Sequence, residues 1–258
     1  MIKFENTEVM GWEAAIRGMR NPMNSWNRSD SGKIYFNGTW YTNDPVIRSY
    51  FTDYGINFMI GSNDLGLMKR LADGGSVHAK YRRMITVYVD ITAPLYWWKE
   101  FDTYKVGTVA NSCSTMHKIH AKEFTLEDFS TDHLLGYSKK RLFDAIQDLN
   151  YYRDLYLNGG KLDFAEKYGD PTKVDPKDKR IWWQMIQLLP SSYNQKRTVQ
   201  MNYEVLAHIY QDRKGHKLDE WAEHEPDWEF DVAEPWQFGL CDWIKSLPYS
   251  ELITGEGR

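Results

Sequence analysis

Residues 84–105 read MITVYVDITAPLYWWKEFDTYK, and this stretch decides the fold class. Its first nine residues, 84–92, are dominated by β-branched and aromatic side chains, which predicts a strand. Pro94 then favours the start of a helix over 95–105, in which the aromatic side chains indicate burial. A strand cannot exist alone, so we expect a sheet packed by helices, with 33–42 as a second candidate strand.

Apolar residues recur at helical spacing in several other segments, and Asn, Ser, Gly or Pro mark their ends. The predicted helices span 9–19, 63–73, 138–157, 178–188 and 194–214. The polar run 24–38 has the composition of turns. It is either a mobile surface loop or a loop that holds phosphate. The sequence therefore predicts an α+β fold with an antiparallel or mixed sheet. We expect one domain, 1–258, with an insertion at about 121–177.

The composition is that of a folded protein, because 42% of the 258 residues are apolar and 26% are charged. The net charge of -4 gives no positive field that would attract a nucleic-acid polymer or an anionic membrane. No window approaches the ~18 apolar residues of a membrane-spanning helix, and no secretory signal opens the chain. Two cysteines, Cys113 and Cys241, are not a disulfide framework. We expect a cytoplasmic protein.

Small hydroxyl and amide residues crowd the segment 99–120, after the Trp-rich helix. With backbone N–H groups and the charge of Lys105 they can bind an anion; the alternative is a hydrogen-bonded turn. Cys113, His117 and His120 have the spacing C-x3-H-x2-H, which leaves open a zinc site, a thiolate nucleophile paired with His117, or an inert buried thiol. No fourth zinc ligand is evident, so we expect no metal.

A basic cluster ends the predicted long helix and consists of Arg213, Lys214, His216 and Lys217. Cations at that position complement the negative end of a helix. In the functional alternative, the planar guanidinium of Arg213 binds a phosphate or an ionised base.

Two separated segments together resemble the flavin-dependent thymidylate synthases, which methylate deoxyuridine monophosphate (dUMP) using methylenetetrahydrofolate, a flavin and NADPH. In that family a histidine precedes a strand, and an Ala-Pro opens a helix that ends in Gln. A signature loop follows, reading Arg-His-Arg-x-x-Ser-x-Asn-Glu-x-Ser-x-Arg-Tyr. Here His78 precedes the strand 84–92, Ala93-Pro94 opens the helix at the same spacing, and the loop falls on 103–116. The family's second segment is matched, in order, by Leu189-Pro190, Asn202, His208 and Arg213.

Several signature positions carry other residues in this chain. The Arg-His-Arg triplet that holds flavin becomes Thr103-Tyr104-Lys105, and the helix-end Gln becomes Glu100. Later in the loop, the family Glu, the substrate-binding Ser and the following Arg become Asn111, Cys113 and Thr115. The family's other phosphate arginine falls on Ile186. A threonine hydroxyl has no charge and cannot donate the two parallel hydrogen bonds of an arginine. We therefore expect that the chain does not bind phosphate as the family does.

The resemblance implies a homotetramer with FAD and a pyrimidine nucleotide, dUMP or an analogue, in pockets shared between subunits. The implied FAD contacts are His78, Lys105, Asn111, Asn202 and His208. The implied substrate contacts are Glu100, Ser112, Cys113, Ser114, Thr115 and Arg213, of which Arg213 and Cys113 are the catalytic candidates. NADPH and methylenetetrahydrofolate are co-substrates if the family reaction is kept. The 11 tryptophans and 17 tyrosines separately favour a homo-oligomer, since aromatic residues are enriched at interfaces.

Two functional classes follow. One is a flavin-dependent enzyme that transfers a one-carbon unit to a pyrimidine deoxynucleotide or modifies it otherwise. The other is a non-catalytic nucleotide-binding or structural protein on the same fold, because an inherited fold does not carry an inherited reaction.

Overall fold

The computed structural model describes residues 2–34, 48, 50, 53–54, 57–163, 172–224 and 238–256. The chain divides into two compact units. The larger unit comprises Ile2–Ile91, Phe101–Asn111 and Arg197–Arg258, and the smaller unit comprises Thr92–Glu100 and Ser112–Lys196. The expected single domain with an insertion at about 121–177 stays a prediction.

The described residues contain strands and helices along their whole length. The strands are β1 (Lys3–Met10), β2 (Gly32–Lys33), β3 (Phe58–Met59), β4 (Thr86–Pro94), β5 (Val109–Ser112), β6 (Gly160–Lys161), β7 (Lys173–Val174) and β8 (Asn194–Asn202). The helices are α1 (Trp12–Arg20), α2 (Ser62–Asp73), α3 (Leu95–Phe101), α4 (Thr115–Lys118), α5 (Gly136–Asn158), α6 (Lys179–Leu188), α7 (Tyr203–Arg213), α8 (Leu240–Ser246) and α9 (Glu251–Thr254). The predicted α+β class is confirmed. None of the described helices is long and apolar enough to cross a membrane.

The main sheet has four strands in the order β1-β4-β8-β5. On one face, the Asp90 carboxylate of β4 accepts hydrogen bonds from Asn6 Nδ2 at 3.0 Å and from Thr198 Oγ1 at 2.6 Å, which ties β4 to both neighbouring strands. Two antiparallel pairs complete the strands, with Gly32 opposite Met59 in β2–β3 and Gly160 opposite Val174 in β6–β7.

In the larger unit the core is aromatic beside α1 and α7. Trp12 packs edge-on against the rings of Tyr203 and Tyr249, each with centroids 5.3 Å apart. The Tyr203 hydroxyl donates to the Pro248 carbonyl at 2.5 Å, so this buried polar atom has a partner. In the smaller unit, α5 packs on α6 through Leu142, Ile146, Leu149 and Met185, together with Phe124 and Phe129.

The strand predicted over 84–92 is confirmed as β4, and the helices predicted over 63–73, 138–157 and 178–188 are confirmed as α2, α5 and α6. The helix predicted over 95–105 is shorter, since α3 ends at Phe101. Of the candidate strand 33–42, only Lys33 lies in a described strand, and 35–42 lies outside the described residues.

The single helix predicted over 194–214 is wrong, because 194–202 forms strand β8 and the helix α7 starts only at Tyr203. Gln195, Val199 and Met201 are buried with more exposed residues between them, which is the two-residue alternation of a strand. The prediction for 9–19 also missed a strand: Lys3–Met10 is β1, and Gly11 separates it from α1.

Candidate functional site

A buried ion pair holds the polar loop that follows α1. Arg20 Nε donates to Asp64 Oδ1 at 2.6 Å, and the two side chains are 3% and 0% exposed. The other carboxylate oxygen accepts from the hydroxyls of Ser29 and Ser31, both at 2.7 Å. Burial opposes ionisation of Asp64, but the hydrogen bonds from Ser31, Ser29 and Arg20 outweigh it and lower the pKa of this carboxyl. The loop that looked like turns in the sequence is thus bound to α1 and α2.

The same loop forms one wall of a cavity of about 1050 Å³ in the larger unit, with α2 and the 3-10 turn Lys80–Met84 as further walls. Four of its lining residues can carry positive charge outside the Arg20–Asp64 pair, namely Arg28, Arg70, His78 and Lys80. Within the described ranges these four side chains make no hydrogen bond or ion pair. No aspartate or glutamate is found among the described lining residues. This surface therefore favours an anionic ligand.

Arg213, at the end of α7, is enclosed by aromatic residues. Its Nε donates to the Tyr104 hydroxyl at 2.9 Å, and its Nη1 lies 2.8 Å from His216 Nε2. The guanidinium carbon lies 4.7 Å from the centroid of the buried Trp221 ring, a cation–π geometry. Burial raises the pKa of Tyr104, against the opposing effect of Arg213, so its hydroxyl stays protonated. The orientation of Arg213 is therefore set by its own chain.

Asn202 caps α7: its Oδ1 accepts from the backbone N–H groups of Glu204 at 3.1 Å and Val205 at 3.0 Å. A Cβ on Gly107 would lie 3.1 Å from Asn202 Nδ2, so the loop after α3 passes directly over this cap. In that loop Thr108 has a buried Oγ1 without a hydrogen-bond partner among the described residues. Lys105 and Asn111, two of the predicted FAD contacts, are both exposed.

His208 lies one turn after Glu204 in α7 and is exposed, with its Nε2 3.7 Å from Glu204 Oε1. Glu204 itself is buried and also faces Arg82 at 3.8 Å and Arg83 at 4.0 Å. These distances are ion-pair distances, and no hydrogen bond reaches either Glu204 oxygen from the described residues.

The predicted substrate contacts Glu100, Ser112, Cys113, Ser114 and Thr115 belong to the smaller unit. The backbone of Cys113 is fixed, because its N–H donates to the Lys196 carbonyl at 2.9 Å and its carbonyl accepts from Gln195 Nε2 at 2.8 Å. Ser114 is the N-cap of the short α4, since its Oγ accepts from the His117 N–H at 3.1 Å. These hydrogen bonds use only the backbone of Cys113, and its free thiol is exposed.

The alternative of a buried thiol at Cys113 is wrong, because this cysteine is exposed and Cys241 is the buried one. Burial raises the pKa of Cys241 to about 12. Among the residues that the structure describes, no group of three or more His, Cys, Asp or Glu side chains could hold a metal ion. His120 instead packs against Tyr156, with ring centroids 4.9 Å apart.

The site candidates of the larger unit occupy different places. His78 lines the cationic cavity, whereas Arg213 lies in the aromatic cluster with Tyr104 and Trp221. Sequence reasoning missed the other cavity cations, Arg28, Arg70 and Lys80, because they lie in three separate stretches without a common motif. It also missed Trp221, which no spacing connects to Arg213. The roles of the predicted site residues stay predictions.

No family model matches the chain. No curated protein matches it either.

Solved structures match it over almost its whole length. Thymidylate synthase X (ThyX) from Helicobacter pylori, with FAD and dUMP, aligns with a TM-score of 0.53 and 12% identity, over 98% of this chain and 97% of that one. A second structure of the H. pylori flavin-dependent enzyme with FAD and dUMP gives the same TM-score and identity over 98% of both chains. A UMP/dUMP methylase, PolB from Streptomyces cacaoi, bound with 5-Br dUMP, has a TM-score of 0.49 at 14% identity over 100% of this chain and 95% of that one. The chain thus has the α+β fold of the flavin-dependent thymidylate synthases.

Proposed function

We propose that this protein is a flavin-dependent enzyme that transfers a one-carbon unit to a pyrimidine deoxynucleotide or modifies it otherwise. The observation that carries the proposal is the ThyX fold, which extends over 98% of the chain and whose matched structure holds FAD and dUMP. The placement of His78 in a cationic cavity supports it, because His78 is one of the residues in which the sequence resembles that family.

The described residues of the cavity fit a flavin dinucleotide. Its volume of about 1050 Å³ lies slightly above the ~300–1,000 Å³ range of small-molecule sites. Unpaired cations suit the two phosphates, and Leu67, Leu71, Tyr81 and Met84 offer apolar surface to a planar ring. When bound, a flavin would supply the hydride chemistry.

The residues of the chain would bind and orient the flavin and the pyrimidine nucleotide. The cavity cations neutralise the ligand's negative charge, and either ring nitrogen of His78 can donate or accept a hydrogen bond. Arg213 is the proposed donor to a pyrimidine carbonyl. Because Tyr104 and Trp221 already fix its guanidinium, little side-chain freedom would be lost on binding. Cys113 provides an exposed thiol in the position of the family's substrate-binding serine.

A second candidate is a non-catalytic nucleotide-binding protein. It is favoured by the loss of charge at Thr103, Thr115 and Ile186, where the family has arginines. The two candidates have the same fold, and they differ in whether the protein converts a bound nucleotide into a product.

The test is to purify the full chain, record its visible spectrum and measure FAD by extraction. We expect a bound flavin that NADPH reduces and that dUMP with methylenetetrahydrofolate reoxidises, with formation of thymidylate or another modified nucleotide. Flavin binding without any nucleotide product would favour the non-catalytic candidate. A protein that is colourless and cannot be reconstituted with FAD would contradict the flavin proposal.

A further inference from the structure

We propose that Arg28, Arg70 and Lys80 form a phosphate-binding subsite in the cavity beside His78, and that this subsite takes the diphosphate of the flavin dinucleotide. The inference rests on the proposed function and names the residues that take over the charge missing from the signature loop. None of the three belongs to a motif in which the sequence resembles the family.

Positive charge in this cavity is not balanced by described acidic side chains. The side chains of Arg28, Arg70 and Lys80 line one cavity. His78 lines the same cavity and can also carry a positive charge. In the described part of the chain no carboxylate lines this cavity, and none is paired with these side chains. Cations grouped in this way repel one another, and a concave surface concentrates their field. Binding a diphosphate would remove that repulsion.

The fold fixes the backbone that carries Arg28 and Arg70. The carbonyl of Arg28 accepts from Arg20 Nη2 at 3.1 Å and from Asn63 Nδ2 at 2.5 Å. Asn63 lies in the first turn of α2, and Arg70 follows seven residues later, which is two helical turns and places both on one face. The buried Arg20–Asp64 pair therefore connects the loop that carries Arg28 to the helix that carries Arg70.

Close packing between the loop and α2 supports the same conclusion. Asp30 accepts from the backbone N–H groups of Asn63 at 2.8 Å and Asp64 at 3.0 Å, so it caps the start of α2. A Cβ on Gly61 would lie 2.2 Å from the Asp30 carboxyl carbon, and only glycine allows this approach. A backbone that is fixed before binding loses less conformational entropy when the ligand arrives.

The chemistry and the size of the cavity indicate the type of ligand. One guanidinium group can donate two parallel hydrogen bonds to a phosphate, whereas the ammonium of a lysine acts as a point charge. A cavity of about 1050 Å³ with both cationic and apolar walls is larger than a mononucleotide needs, and it suits a dinucleotide. The phosphate of dUMP shares this chemistry, so the experiment includes it as a separate arm.

The experiment compares the wild-type chain with the double variant Arg28→Ala/Arg70→Ala by calorimetry and flavin fluorescence. For FAD we expect the Kd to rise at least about tenfold, the effect of losing charged hydrogen bonds. Riboflavin has no phosphate, so its Kd should be unchanged. Arg17→Ala is the matched control, since Arg17 is an exposed arginine of α1 that does not line this cavity. Thermal unfolding followed by circular dichroism verifies that each variant is folded.

Three results would overturn the proposal: an unchanged Kd for FAD, an equal loss for FAD and riboflavin, or a loss confined to dUMP. A wild-type protein that binds no flavin would contradict the proposed function, and inorganic pyrophosphate then tests the subsite alone. Pyrophosphate binding that the double variant loses and Arg17→Ala retains would support the subsite. A wild type that binds no pyrophosphate would refute it.

Discussion

Arg213 Nε donates a hydrogen bond of 2.9 Å to the hydroxyl of Tyr104, the residue that the sequence resemblance aligns with the histidine of the flavin-dependent thymidylate synthase signature triplet. The tyrosine cannot repeat the role of a charged triplet, but its oxygen accepts from a guanidinium that also stacks on Trp221. This links the loop after α3 to the end of α7. Tyr104 thus has a hydrogen-bond partner within the larger unit.

We expect Tyr104→Phe to lower the free energy of unfolding by about 1–3 kcal/mol, because the half-buried Arg213 N–H loses the Tyr104 oxygen as its acceptor. Urea unfolding followed by tryptophan fluorescence measures this difference. Tyr88→Phe is the matched control, because Tyr88 is exposed on β4, and its change should stay within about 0.5 kcal/mol. Equal effects of the two changes would show that the Tyr104–Arg213 bond contributes nothing.

We expect Asp64→Asn to destabilise the protein by about 3–5 kcal/mol, because it leaves the Arg20 charge buried without a counterion. The pH dependence has a defined sign. The folded protein holds the pKa of Asp64 below its usual 3.8, so the ion pair stabilises the fold above that pH. This stabilisation is lost as the pH falls through the lowered pKa.

Urea unfolding at a series of pH values from 7 to below 3.8 tests this point. The wild type should lose stability in that acid range more steeply than Asp64→Asn does. Asp148→Asn, on the exposed side of α5, is the control and should follow the wild-type curve. Parallel curves for wild type and Asp64→Asn would contradict the role of this carboxylate.

The sequence predicted β4 and most helices because their signals are local. Strand 84–92 is rich in β-branched residues, and α2, α5 and α6 have regular apolar spacing with clear ends. Strand β8 was missed because Gln, Lys and Arg in 194–202 are good helix formers, and its extended form depends on pairing with β4 and β5, which are distant in sequence. Tertiary pairing outweighed local propensity here.

The candidate site was predictable only where a motif marked it. The resemblance located His78 and Arg213, which lie in the cavity and in the aromatic cluster, respectively. It did not indicate Arg28 or Arg70, because the Arg20–Asp64 pair that brings their segments together joins residues 44 positions apart. A long-range buried ion pair has no signature in a single sequence.

We expect the protein to form a homotetramer, as the resemblance implies. Light scattering at micromolar concentration should then give a mass four times that of the 30.5 kDa chain. A mass of 30.5 kDa would contradict this expectation.

The two cysteines should react at very different rates with a thiol reagent such as Ellman's reagent. Cys113 is exposed, whereas burial protects Cys241 and raises its pKa. We expect one thiol to react in the native protein and two in denaturant, and Cys113→Ser should abolish the native reaction. If nucleotide modification continues at the wild-type rate in Cys113→Ser, Cys113 has no catalytic role.

Gly11 joins β1 to α1 with φ +98°, and a Cβ there would lie 2.1 Å from the Met84 carbonyl oxygen. Gly11→Ala should therefore destabilise the protein by more than the ~1 kcal/mol that a positive φ alone costs, since backbone would have to shift as well. Gly75→Ala separates the two effects, because Gly75 has φ +85° but nothing within 4 Å of an added Cβ. Urea unfolding of both variants gives the difference. We expect Gly11→Ala to lose at least about 1 kcal/mol more than Gly75→Ala, and equal losses would mean that the approach of Met84 to Gly11 does not constrain the junction.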